Sequence, residues 1–136
     1  MPEMRIEVLK SKLHRVTVTA ADLEYEGSLS LDTDLMAAAG LFESEKVAVA
    51  NLRNGERFET YLIRGEKGSG EVMVNGAAAR LASPGDELIV MAYGHIGIEQ
   101  AEKHRPKVVL VDKENRILKS DGKPRKSVAS SAGDWI

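Results

Sequence analysis

The peptide bond Gly27-Ser28 closes the run Tyr25-Glu26-Gly27-Ser28, behind the basic segment Ser11-Lys12-Leu13-His14-Arg15. Glycine and serine are ordinary turn residues, so a tight turn is the plain reading. Glycine also reaches backbone conformations closed to other residues and leaves its carbonyl open to attack by a neighbouring hydroxyl. The sharper reading is a bond at which the chain cuts itself and turns Ser28 into its own cofactor. Further on, Arg57-Phe58-Glu59-Thr60-Tyr61 groups three side chains able to do chemistry. The Arg57 guanidinium is a planar fork suited to a carboxylate. Thr60 is a hydroxyl donor or a routine strand threonine. Tyr61 is a phenol that keeps its proton at neutral pH, or a strand tyrosine packed through its ring. In a regular strand Thr60 and Tyr61 face opposite ways, so one site uses both only if the strand bends or neighbouring subunits contribute differently.

Short β-branched and alternating runs must position these groups. Residues 5–9, 14–19, 46–52, 58–64, 71–74, 87–93 and 107–112 read as strands. Turn signals separate them at Asn54-Gly55, residues 65–70, Asn75-Gly76 and Pro84-Gly85, which predicts a mostly β, barrel-like domain. Asp32 or Thr33 can cap a short helix that runs to Ala39 and stops at Gly40. The alanines of 76–82 suit a tight helical turn or two, and 98–104 suits a third short helix ended by Pro106. The single domain is expected over 1–118. Residues 119–136, rich in Ser, Lys, Gly and Ala, are expected to form a disordered tail.

Composition narrows the function classes. A chain of 136 residues fits one domain that gains from assembly. No apolar run approaches the roughly 20 residues of a spanning helix, so no membrane partner is expected. The N-terminus has no basic region followed by an apolar stretch, and the expected location is cytoplasmic. With no cysteine there is no disulfide, thiolate nucleophile or Cys-based metal site, and His14, His95 and His104 have no metal-ligand spacing. A net charge of −2 with interleaved signs argues against nucleic acid, which needs a concentrated basic face.

The run from Lys10 to Asp32, KSKLHRVTVTAADLEYEGSLSLD, resembles the N-terminal segment of the aspartate 1-decarboxylase family, the pyruvoyl-dependent enzymes that make β-alanine for pantothenate synthesis. The resemblance continues through Asn54-Gly55-Glu56-Arg57-Phe58-Glu59-Thr60-Tyr61, Val74-Asn75-Gly76-Ala77-Ala78-Ala79-Arg80-Leu81 and Ser83-Pro84-Gly85-Asp86. Several irregular segments match in a fixed order from about Met4 to about Val111, which is more specific than any one short motif. Two positions depart from it: Ala50 stands where some relatives have tryptophan, and Leu29 follows Ser28 where the family also admits a small residue such as cysteine.

The resemblance implies a six-stranded double-psi β-barrel with short helices, a homotetramer, and active sites between neighbouring subunits. It implies that the Ser28 hydroxyl attacks the Gly27 carbonyl to form an ester, and that elimination and hydrolysis leave a pyruvoyl group in place of Ser28. Decarboxylation of an amino acid leaves electrons at Cα that no side chain accepts unaided, and a pyruvoyl ketone beside an amide carbonyl can take them. Thr60 then stabilises the oxyanion of self-processing, and Tyr61 donates the proton that replaces carbon dioxide. Arg57 and Lys12 bind the carboxylates of L-aspartate, Tyr25 lines the site, and Asn75, Gly76, Ala77 and Ala78 contact the pyruvoyl group and substrate. For His14 three readings stand: it positions the cleavage loop, it hydrogen-bonds within the site, or, as a lone histidine at a strand start, it satisfies a local acceptor. A maturation factor is a further partner this reading allows. Two other readings are a non-catalytic ligand-binding β-barrel in which Gly27-Ser28 stays intact, and a pyruvoyl decarboxylase of another amino acid, against which Arg57 argues by favouring an acidic substrate. A serine hydrolase is weaker, because no G-x-S-x-G elbow is present.

Overall fold

The computed structural model describes residues 3–121. Nine strands join in one sheet: β1 (Arg5–Thr17), β2 (Ala20–Asp22), β3 (Ser28–Asp32), β4 (Lys46–Asn51), β5 (Arg57–Gly65), β6 (Val72–Asn75), β7 (Glu87–Gly97), β8 (Lys107–Val111) and β9 (Ile117–Asp121). Their spatial order is β2, β6, β3, β5, β4, β7, β1, β8, β9. The mainly β class stands, with nine strands among the described residues where six were expected.

Three strand expectations change. Residues 5–9 and 14–19 are not separate strands: β1 is continuous and pairs with β7 along its length. Register shifts at Leu9/Ser11 and His14/Val16 mark bulges, and Arg15 takes φ 71° at the second. A bulge inserts one unpaired residue and breaks the two-residue alternation, which is why one bent strand reads as two. The segment Ser28–Asp32, absent from the expected strands, is β3, held between parallel β5 and antiparallel β6. Finally, Lys119 and Ser120 pair with Leu110 and Val109 in β9, so residues 119–121 belong to the folded domain. The remainder of the expected tail, 122–136, lies outside the described residues.

Among the described residues there is one α-helix, α1 (Thr33–Ala39), and it matches its expected caps. Asp32 accepts a hydrogen bond from the Asp34 N–H at 2.8 Å, and Gly40 ends the helix at φ 67°. The other two helical segments are short 3-10 helices at Gly76–Arg80 and Ile98–Lys103.

Alternation sorts the sheet into two faces. Leu13, Leu29, Leu31, Leu62, Val74 and Val90 are fully buried in the main core, each contributing about 1.5–3 kcal/mol of apolar burial. On the other face a smaller cluster of Ala50, Ile89 and Met91 packs with Leu9 and Leu52. Among the described residues no helix is long and apolar enough to cross a membrane, and no group of three or more acidic or histidine side chains could hold a metal ion.

Candidate active site

Leu29 and Leu31 anchor β3 in the core, and that alternation turns Ser28 and Ser30 to the other face. Antiparallel pairing sets Ser28 opposite Asn75, the last residue of β6. Ser28 is fully buried, and its Oγ donates to the Glu26 carbonyl at 3.1 Å. Because that hydroxyl spends its single proton on Glu26, its contact with Asn75 must have the amide as donor, and this fixes the carboxamide's orientation. Asn75 Nδ2 donates to Ser28 Oγ at 3.0 Å and to Ser30 Oγ at 3.1 Å. Asn75 Oδ1 is buried with no hydrogen-bond partner, an acceptor left without a donor.

The next residue closes the loop over this pair. Gly76 has φ 69°, and a Cβ there would stand 2.6 Å from Gly27 Cα, 2.7 Å from Gly27 N and 3.0 Å from the Tyr25 carbonyl. Only glycine allows the two backbones to come this close. Gly27 itself is exposed with open space beside it, so the carbonyl preceding Ser28 sits on an accessible loop. Tyr25, Gly27, Ser28, Asn75 and Gly76 therefore form one cluster. Ala77 is exposed and Ala78 packs against the main core. Ser30, absent from the sequence expectations, belongs to the cluster as well; the Ser-Leu-Ser-Leu alternation of 28–31 is the signal that could have found it.

The far end of β3 is held by Asp32. Burial works against the charge of its carboxylate, but backbone N–H donors of Gly70, Gly68 and Asp34, helped by the Lys67 charge, outweigh it and hold the pKa below the usual value.

Tyr61 lies beside this cluster. The parallel register of Leu29 with Leu62 and Ser30 with Ile63 brings Ser28 level with Tyr61 on the adjacent strand and on the same face. On β5, Arg57, Glu59 and Tyr61 share that outer face, while Phe58 and Leu62 turn inward with Thr60 between them. The β4–β5 register runs without a shift from Arg57 to Tyr61, so no bulge turns Thr60 onto the Tyr61 face, although both residues border one open pocket with Lys46 and Glu59.

The cationic candidates share the outer face without reaching the cluster. Arg57, Ala50, Ile89 and His14 form one row across β5, β4, β7 and β1, and Glu59, Ala48, Met91 and Lys12 form the next. Four residues along β5 separate Arg57 from Tyr61 by roughly 13 Å, and three strand spacings separate β5 from β1 by roughly 14 Å. Arg57 is exposed, whereas Lys12 and His14 are buried. Arg57 and Lys12 thus stand apart from Ser28 along and across the sheet.

Comparison with known proteins matches this arrangement to a family. The aspartate decarboxylase family model covers residues 4–118. An aspartate 1-decarboxylase of Caldicellulosiruptor bescii is 56% identical over 124 residues, 91% of this chain and 97% of that one. Those of Chloroherpeton thalassium and Parabacteroides distasonis are 57% and 58% identical, over 85% and 80% of this chain and 85% and 94% of theirs. Among solved structures, the rationally designed protein mkDPBB_sym_86 superposes with a TM-score of 0.43 at 16% identity over 58% of this chain and 91% of that one, and nothing is built on so slight a likeness. The motifs around Ser28, Thr60-Tyr61 and Asn75-Gly76 all fall inside the matched span, and the chain belongs to the aspartate decarboxylase family.

Proposed function

We propose that this chain is a cytoplasmic enzyme that decarboxylates L-aspartate to β-alanine and carbon dioxide, the step that feeds pantothenate and coenzyme A synthesis. The observation that carries the reading is the seating of Gly76 against Gly27 with the Asn75 amide on Ser28 Oγ, in a chain 56% identical over nearly its whole length to an aspartate 1-decarboxylase. The working form is a chain broken between Gly27 and Ser28, with a pyruvoyl group in place of Ser28.

The residues present fit such a group. Asn75 offers Nδ2 as a donor toward position 28, and its orphaned Oδ1 is an acceptor for an amine N–H. Gly76 lets the Gly27 backbone lie directly against this turn, where any side chain would collide with it. The pyruvoyl group supplies the electron sink for the pair left when carbon dioxide departs.

During self-processing, Ser28 Oγ bonds to the Gly27 carbonyl carbon as the Gly27–Ser28 C–N bond breaks, and the freed nitrogen takes a proton. Thr60 is the donor this reading gives to the developing oxyanion, and because its side chain faces away from Ser28 in the folded chain, it acts only if β5 turns locally during processing. Tyr61, level with Ser28, holds the proton that replaces carbon dioxide at the substrate Cα. Arg57 and Lys12 bind the substrate carboxylates, the first through its bidentate fork. Tyr25, Ala77 and Ala78 border the site from the cleavage loop and the turn after β6.

Within one chain Arg57 and Lys12 stand apart from Ser28 along and across the sheet, an arrangement that suits a homotetramer whose sites form between neighbouring outer faces. The six-stranded double-psi barrel belongs to the same reading, as does a maturation factor should cleavage not run unaided.

The test is the intact mass of the purified protein under denaturing conditions, with Ser28→Ala as control and β-alanine release measured on the same samples. Two fragments split at Gly27/Ser28, the second blocked by a pyruvoyl group, together with aspartate turnover, are expected. Normal turnover by Ser28→Ala would overturn the mechanism, and a whole, inactive chain even with a maturation factor added would favour a ligand-binding barrel.

A further inference from the structure

Asn75 has two amide hydrogens and gives one to each of two serines. The two acceptors have different fates under the proposed self-cleavage. Ser28 Oγ first becomes the bridging oxygen of the Gly27 ester. Elimination then breaks the Ser28 Cβ–Oγ bond while the Cα proton passes to water, and Oγ departs as one oxygen of the new Gly27 carboxylate. Water finally displaces the nitrogen as ammonia, leaving the ketone. Asn75 thereby loses the hydroxyl that held one of its hydrogens. Ser30 Oγ takes no part in that chemistry.

We propose that Ser30 is the positioning residue for Asn75: it keeps the carboxamide fixed, one N–H on position 28 and Oδ1 toward the substrate amine, after the Ser28 hydroxyl has gone. The local structure is built for it. Ser30 is 4% exposed, with Leu29 and Leu31 in the core on either side, so its hydroxyl has a fixed place on the face of Asn75. The Asn75 side chain makes no capping bond to the 3-10 helix that follows it, so the two serines are the partners that restrain its amide. Without Ser30, a buried N–H would lack an acceptor and the carboxamide could turn, exchanging donor and acceptor toward the substrate.

The inference rests on the proposed function for its consequence but not for its geometry, and two measurements separate them. In a Ser28→Ala chain, which stays whole under any reading, the Asn75 side-chain amide protons should exchange slowly with solvent deuterium. They should exchange at least ~10-fold faster when Ser30→Ala is added, as expected for one lost hydrogen bond. An unchanged exchange rate would overturn the positioning role even if the enzyme cleaves and decarboxylates normally.

In the cleaved enzyme, Ser30→Ala should lower kcat about 10-fold or more with little change in the denaturation midpoint, and Ser30→Thr, which restores a hydroxyl, should recover most of it. In an Asn75→Ala background, Ser30→Ala should have no further effect on kcat, because the group it positions is gone. Independent, multiplying losses in that background would mean that Ser30 acts only on packing. Slow exchange lost in the double variant, in a wild-type chain that neither cleaves nor turns over aspartate, would keep the Ser30–Asn75 link and sink the enzymatic reading instead.

Discussion

Under the proposed self-cleavage, Ser28 starts from a constrained state. Its hydroxyl points its proton at the Glu26 carbonyl and accepts from Asn75, so attack on Gly27 requires the Glu26 contact to be given up while the amide stays. Tyr61 stands outside that exchange, on the next strand and half open to solvent. Tyr61→Phe should therefore still cleave at Gly27/Ser28, seen as two fragments by mass, but lose at least ~100-fold in β-alanine formation because the proton donor is gone; loss of cleavage in this variant would contradict that division of labour. Asp32 makes a second residue-level prediction, about stability. Its folded pKa lies below the ordinary 3.8, so its contribution is complete above about pH 4 and disappears as pH falls through the depressed value. Asp32→Asn should lower stability by roughly 1–2 kcal/mol at pH 7, since the amide is a poorer acceptor for the Gly68, Gly70 and Asp34 N–H groups. The gap to wild type should narrow as pH falls below about 4, where the unfolded chain takes up a proton that the folded carboxylate still resists, and close once pH passes the depressed folded value. Urea midpoints measured across that range check both the size and the sign.

Two Asn-Gly dipeptides show how far local sequence reaches at the level of elements. Asn54-Gly55 and Asn75-Gly76 carry the same turn signal, and both glycines have positive φ, 76° and 69°. A Cβ on Gly55 would meet open space, whereas on Gly76 it would collide with the Gly27 backbone. Gly55→Ala should cost only the conformational penalty, roughly 1 kcal/mol. Gly76→Ala should cost more, roughly 2–4 kcal/mol, and should slow self-cleavage by pushing Gly27 away. Denaturation curves and the time course of cleavage distinguish the two, and equal behaviour would mean that the Gly27 contact is not used. The turn was legible from the dipeptide, but its seat against Gly27 comes from a partner 49 positions away along the chain (76 − 27). The same division holds elsewhere. The alternation of 57–62 and the Asp32/Gly40 caps of α1 were legible because each depends on neighbours within a few residues. Strand β3 was not, although Ser-Leu-Ser-Leu alternates, because its serines are buried under Asn75 where a polar face is ordinarily solvated. Nor was the unity of β1, whose bulges at 9–11 and 14–16 interrupt its alternation, nor β9, an edge strand whose exposed Leu118 and polar Lys119 and Ser120 carry little apolar signal.

For the molecule as a whole, the outer face of the sheet carries Tyr61 and Ser28 at one place and Arg57 with the Lys12–His14 segment at another. A roughly 13 Å backbone offset along β5 separates Arg57 from Tyr61, and in the proposed assembly a second outer face brings the neighbour's arginine to the first chain's Ser28. This makes subunit mixing a sharp test of the proposed assembly. Arg57→Ala and Tyr61→Phe chains, each nearly inactive alone, should regain activity when unfolded together and reassembled. If each site takes its tyrosine from one subunit and its arginine from the neighbour, random mixing in equal amounts leaves both intact in about a quarter of sites, so about a quarter of wild-type activity should return. If both residues served one site within a single chain, every mixed site would still lack one of them and no activity would return. Mixing without the unfolding step should also give none, because preformed assemblies keep their own subunits, and wild-type protein carried through the same cycle supplies the yield of reassembly against which the quarter is read.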